Sequence, residues 1–137
     1  MYLAIDPGKT TGYAYFDEEG KLLMSGKVTG EDTFLDQLEL LVPNIKVIIM
    51  EAYRNRPGKA NVHNNWSKNE TSQHIGAIKR IARKAGIEVV EQEPSPCLAI
   101  GLKFIGMGEK YAGKHVPDDI SAQAHGTYYL RQKKILK

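Results

Sequence analysis

The chain has 137 residues, 42% hydrophobic and 26% charged, with a net charge of +3. That is the balance of an ordinary soluble globular protein, and the length predicts one domain, 1–137, able to bury a real core. A single cysteine, Cys97, excludes a disulfide framework and suits a reducing compartment as a small buried apolar residue. No apolar run approaches the length that spans a bilayer and no basic-apolar leader precedes the first one, so a cytoplasmic protein without a membrane is expected.

Tyr2 to Ile5 reads as a buried strand that ends in a carboxylate, Asp6, before Pro7-Gly8 turns the chain. An acid at the end of a central strand is costly to bury unless it is paired or holds a metal, which makes Asp6 a functional candidate; opening the turn is the plainer reading. Gly8-Lys9-Thr10 is not a phosphate-binding P-loop, because Leu3 stands where that motif needs its first glycine. Asp6-x-Gly8-x-Thr10 also resembles the phosphate hairpin of the actin and sugar-kinase ATPases, but those close two such domains and this chain is too short for two.

Strands at Thr11–Phe16 and Lys21–Thr29 flank Asp17-Glu-Glu-Gly20, a hairpin turn, so three antiparallel strands open the domain. Phe34, Leu35, Leu38, Leu41 and Val42 recur at helical spacing and predict a helix over 31–42, stopped by Pro43. Ile45 to Met50 is a continuous apolar run, as for a strand buried on both faces, and it ends in Glu51. The opening device is thereby repeated: a buried strand delivering an acid.

Residues 52–66 predict a long loop containing the turn Pro57-Gly58-Lys59, and loops of this length are commonly functional. Ser67-x-x-Glu70 has capping-box spacing and opens a helix to about Gly86, with Ile75, Ile78, Ile81, Ala82 and Ala85 inward. Ile87–Val90 predicts a fifth strand, after which Pro94 and Pro96 break the pattern. Cys97–Phe104 suits a short helix, followed by a glycine-rich connector through Gly106, Gly108 and Gly113. Pro117 then suits the first turn of a last helix, where Asp118 and Asp119 are favoured by its dipole even without another role. Ala122 and Gly126 near one stripe let this helix approach the sheet closely, bringing an acid near Asp6.

Charge is partitioned along the chain. Residues 1–53 carry 4 Lys/Arg against 9 Asp/Glu, whereas 54–86 carry 8 against 1 and 103–137 carry 7 against 3. Basic segments beside an acidic remainder point to a polyanion held on one face, although such runs also occur as plain solvated helix faces.

With Ile-Asp6-Pro-Gly in strand 1, Glu51 ending strand 4 and His115-x-x-Asp118 opening the last helix, the chain resembles the RuvC-type Holliday junction resolvases, a branch of the ribonuclease H-like nucleases. The resemblance covers nearly the whole chain, and its short length resembles the phage-encoded members. It implies a ribonuclease H-like α/β fold with a central five-stranded mixed sheet, the first three strands antiparallel, flanked by helices. It also implies a homodimer that nicks four-way DNA symmetrically, in a bacterial or phage-infected cell.

By position, the resemblance makes Asp6, Glu51 and Asp118 metal-binding carboxylates, with His115 in a fourth site position. Asp119 departs from the small residue the family pattern leads one to expect; a helical step of about 100° separates it from Asp118, so one of the pair faces the metals, Asp118 in preference. Two Mg²⁺ ions about 3.5–4 Å apart, with Mn²⁺ as substitute, stabilise attacking and leaving oxygens in phosphodiester hydrolysis. His115 either binds a metal or orients the attacking water; capping the last helix is its plainer reading. His63, His74 and His125 show no metal-ligand spacing and receive no role. Arg54, Arg56, Lys59, Lys79, Arg80, Arg83 and Lys84 are candidate phosphate contacts, with Lys103, Lys110 and Lys114 lining the approach. Tyr53 and Trp66 either stack on bases at a branch point or pack in the protein. Two rival functions stand beside junction cleavage: a nuclease of the same fold acting on RNA–DNA hybrid, another branched substrate or other nucleic acid, and a DNA-binding protein that does not cut.

Overall fold

The computed structural model describes residues 1–52 and 65–136, the side chains of 65–69 excepted. At its centre is β1 (Tyr2–Asp6), whose first four residues are all buried because both faces of the strand are covered. β2 (Thr10–Phe16) and β3 (Leu22–Thr29) pair antiparallel on one side of it. Asp17 fixes the turn between them, its Oδ1 accepting the amides of Glu19 and Lys21 at 2.9 Å each.

Helix α1 (Glu31–Leu41) leads, through a single 3₁₀ turn at Val42–Asn44 that contains Pro43, into β4 (Val47–Glu51). β4 lies parallel to β1 on its other side, and β5 (Glu88–Gln92) lies parallel to β4, giving the sheet order β3-β2-β1-β4-β5. Between those strands runs α2 (Asn65–Ala85), and after them come α3 (Pro94–Phe104) and α4 (Asp118–Gln132). The result is an α/β fold with a five-stranded mixed sheet flanked by helices.

Several boundaries differ from the sequence expectation; α2 begins on Asn65, ahead of the Ser67 capping box, and β4 begins on Val47 rather than Ile45. β5 runs on to Gln92 rather than stopping at Val90, because its parallel ladder with β4 continues to the Glu51–Gln92 pair. α3 takes in Pro94, which needs no amide hydrogen at a helix start, with a non-helical Ser95 behind it. Pro117 stands just outside α4 in extended conformation, so the helix begins on Asp118.

Side chains alternate across the strands and build two cores. On one face Leu3, Ile5, Ile48 and Met50 meet Phe34 and Leu38 of α1 and Ile75, Ile78 and Ala82 of α2. On the other, Ala4, Ala14, Phe16 and Ile49 meet Ala122, Tyr129 and Leu130 of α4. Each fully buried large apolar side chain contributes roughly 1.5–3 kcal/mol, so the sheet is anchored from both sides and its strand ends are held in register.

Candidate active site

The parallel pairing of β1 and β4 brings two acids to the same edge of the sheet. Ile5 is registered with Met50, so the next residues, Asp6 and Glu51, emerge side by side at the carboxyl ends of adjacent strands. Across the antiparallel pair, Asp6 stands opposite Gly12. That glycine has a steric reason: a Cβ there would lie 2.0 Å from the carbonyl oxygen of Asp118. The backbone at the start of α4 therefore rests on β2 beside Asp6, and only glycine leaves room for it. Further along, a Cβ on Gly126 would meet the Phe16 ring at 2.3 Å, so α4 lies close to the sheet there too. Small residues on both partners thus deliver Asp118 to the two strand-end acids.

The electrostatics show how near these groups are. Burial, then the neighbouring Glu51 charge and, more weakly, Asp118 raise the Asp6 pKa from 3.8 to about 8, against an opposing hydrogen bond with Ser121. Hydrogen bonding between Asp6 and Glu51 adds a last, smaller upward push. Asp118 is raised as well, mainly by burial, with Lys27 and His115 pulling it down and Asp119 and Glu51 pushing it up. Clustered carboxylates repel one another, and a proton held on Asp6 is one way to relieve that repulsion; a cation is another. Among the described residues no three Asp, Glu, His or Cys side chains are closed tightly enough to ligate one ion as they stand. The oxygens of the three carboxylates nevertheless suit a hard divalent cation.

No protein-family model matches the chain, and no curated protein matches it in sequence. Solved structures do. RuvC of T. thermophilus in complex with a Holliday junction substrate superimposes with a TM-score of 0.64 at 16% identity, over 96% of this chain and 94% of that one. The fowlpox virus resolvase in complex with Holliday junction DNA gives 0.63 at 16% identity, over 96% and 99%. The yeast mitochondrial Holliday junction resolvase Ydc2 gives 0.52 at 16% identity, over 98% and 79%. The fold is that of the RuvC-type resolvases.

Within this RuvC-like fold the remaining candidates separate. Asp119 Oδ1 lies 3.9 Å from Lys27 Nζ of β3, and the same lysine also lowers the pKa of Asp118. His115 is exposed, close enough to Asp118 to lower its pKa. Arg80, Arg83 and Lys84 are exposed on α2, and Lys103, Lys110 and Lys114 are exposed before α4. Lys79 is engaged by Glu91 of β5 in an ion pair, which leaves it less available to a phosphate than its neighbours. Lys110 covers the ring of Tyr111 at 5.4 Å. Tyr53, Arg54, Arg56, Lys59, His63 and the Trp66 side chain lie outside the described residues.

Two histidines given no role in the sequence reading are buried. His74 packs edge-on against Phe34 and meets Thr11 Oγ1 at 2.9 Å, and burial lowers its pKa. His125 has no exposed surface and its Nε2 lies 3.3 Å from Glu51 Oε1. It stands seven residues after Asp118, two helical turns along the same stripe, and that spacing is the sequence signal that marks it. Gln92, which touches His125, carries no such signal.

Proposed function

We propose that this protein is a hydrolase, a Mg²⁺-dependent endodeoxyribonuclease that resolves four-way or other branched DNA junctions, with Mn²⁺ able to substitute. The observation that carries the reading is the meeting of Asp6, Glu51 and Asp118 where two parallel strand ends and one helix start converge in a RuvC-like fold. Negative charge concentrated at the place a phosphate must approach favours a cation-loaded nuclease over a DNA-binding protein that does not cut. The neighbours solved with Holliday junction DNA support a branched substrate.

Asp6, Glu51 and Asp118 would hold two Mg²⁺ ions, with His115 at the rim. Bound there, the ions supply Lewis-acid stabilisation of the charge on the attacking and leaving oxygens. Asp6, held protonated by burial and by Glu51 while no cation is bound, would release that proton on holding one. His115, exposed beside Asp118, orients the incoming water or completes the ligand set. Asp119 neutralises Lys27 and holds the first turn of α4 toward β3. Exposed Arg80, Arg83 and Lys84 of α2, together with Lys103, Lys110 and Lys114, contact phosphates. In this reading the chain is one ribonuclease H-like domain, acts as a homodimer so that two identical centres reach opposed strands, and works in the cytoplasm.

A substrate panel tests it. Labelled four-way junction, matched duplex and RNA–DNA hybrid are incubated with the protein and Mg²⁺. Paired symmetric nicks in the junction alone are expected. Cutting of the hybrid instead would reassign the substrate, and tight junction binding with no cut under either metal would overturn the nuclease reading.

A further inference from the structure

Resting on that reading, we propose that His125 is a positioning residue for Glu51, with its ring tautomer set by Gln92. An imidazole at 0% exposure is costly to bury unless both ring nitrogens find partners. Both do. Gln92 Nε2 lies 2.9 Å from the His125 carbonyl oxygen and 3.2 Å from His125 Nδ1. A carbonyl oxygen only accepts, so the amide group of Gln92 that faces it is the NH₂ and not the oxygen. The second amide hydrogen then points at Nδ1, which must accept it. A neutral ring whose Nδ1 accepts carries its hydrogen on Nε2, and Nε2 lies 3.3 Å from Glu51 Oε1. The chain of donation runs from Gln92 through His125 to Glu51.

Two strands and a helix supply the parts. The β4–β5 register sets Gln92 directly beside Glu51, and α4 lays His125 over both. A neutral donor suits this place. It fixes one oxygen of the carboxylate while leaving the negative charge for a cation, whereas a lysine or arginine would cancel that charge.

The test reads Mn²⁺ binding by the free protein, without DNA, from the loss of the free-ion EPR signal, and the ring tautomer from long-range ¹H–¹⁵N spectra. Wild type is expected to bind Mn²⁺ with His125 protonated on Nε2. His125→Phe keeps the bulk without the donor and is expected to weaken Mn²⁺ binding about 10- to 100-fold, while His125→Gln, whose amide reaches the Nε2 position, recovers most of it. Gln92→Met carries the test if His125→Phe does not fold: it removes the donor to Nδ1, and a mixture of tautomers with several-fold weaker Mn²⁺ binding is expected. Two results overturn the proposal and leave the acidic centre standing: an Nδ1-protonated ring in wild type, or unchanged binding in His125→Phe where Glu51→Gln loses it. Unchanged binding in Glu51→Gln itself would overturn the reading of the centre, and this proposal with it.

Discussion

The two faces of the sheet are built on different principles. On the α1–α2 face, large side chains fill the space: Leu3, Ile5, Ile48 and Met50 interdigitate with Phe34, Leu38, Ile75 and Ile78. On the α4 face, small ones clear it: Ala4 and Ala14 of the sheet meet Ala122 and Gly126 of the helix, and Gly12 lets the backbone of Asp118 touch β2. Thick packing tolerates some rearrangement, because a side chain lost from it leaves a cavity that neighbours partly fill. Backbone contact tolerates almost none. Both faces hold the sheet, but the second, through Gly12 and Gly126, also sets the position of a helix start.

Substitutions in the acidic trio should separate the two faces most sharply. Asp118→Asn is expected to lower junction cleavage by more than the 10- to 100-fold typical of an outer-shell partner, with little change in melting temperature, whereas Asp119→Asn stays within roughly tenfold of wild type. Single-turnover rates on a labelled junction check this, and equal losses would erase the distinction drawn between the two acids.

Gly12→Ala strikes the backbone contact itself. A Cβ 2.0 Å from the Asp118 carbonyl must push the start of α4 off β2, and overpacking of this kind costs about 1–3 kcal/mol. Cleavage should fall on the order of 100-fold, since about 1 Å of misplacement at a reacting centre costs that much. Denaturant melts and rates measured together show whether activity is lost well beyond stability.

Ile78→Ala probes the opposite face and should do the reverse. Ile78 is fully buried against both helix and sheet, and such a truncation costs about 2–5 kcal/mol. The rate per folded molecule should stay near wild type. A large loss of rate with modest destabilisation would mean that the packed face also sets the site.

Protonation of Asp6 gives a smaller, graded effect. Its folded pKa is raised from 3.8 to about 8, so between those values the native state holds a proton that the unfolded chain has released. Stability without metal should therefore fall as pH rises from about 4 to 8, with the contribution whole below that window and lost above it. Melting temperatures across the window test this. Asp6→Asn should flatten the curve, and so should a saturating divalent cation in wild type.

Smallest of all is the basic surface. Arg83→Ala should weaken junction binding modestly and lower the salt slope of log Kd by about 1, and it should leave the single-turnover rate of the bound complex unchanged.

Much of this was legible in the sequence for a physical reason. An apolar run that ends in an acid is conspicuous, so Asp6 and Glu51 stand out, as does the Pro117-Asp118 helix start. Gly12 did not stand out, because its need arises only when β1–β2 register and the approach of α4 are known together. Gln92 and His125 were hidden for the same reason: one ends a strand whose last pair was not foreseen, and the other sits in a buried stripe that spacing marks but does not explain. Lys79 read as a free phosphate contact because its partner Glu91 lies on another element.

The most direct test of the central idea is where a cation binds. Crystals of the wild-type protein grown with Mn²⁺ and measured at the manganese absorption edge should show anomalous density against the carboxylates of Asp6, Glu51 and Asp118, and none there in Asp6→Asn. Density confined to other residues, or equal density in the variant, would contradict the account.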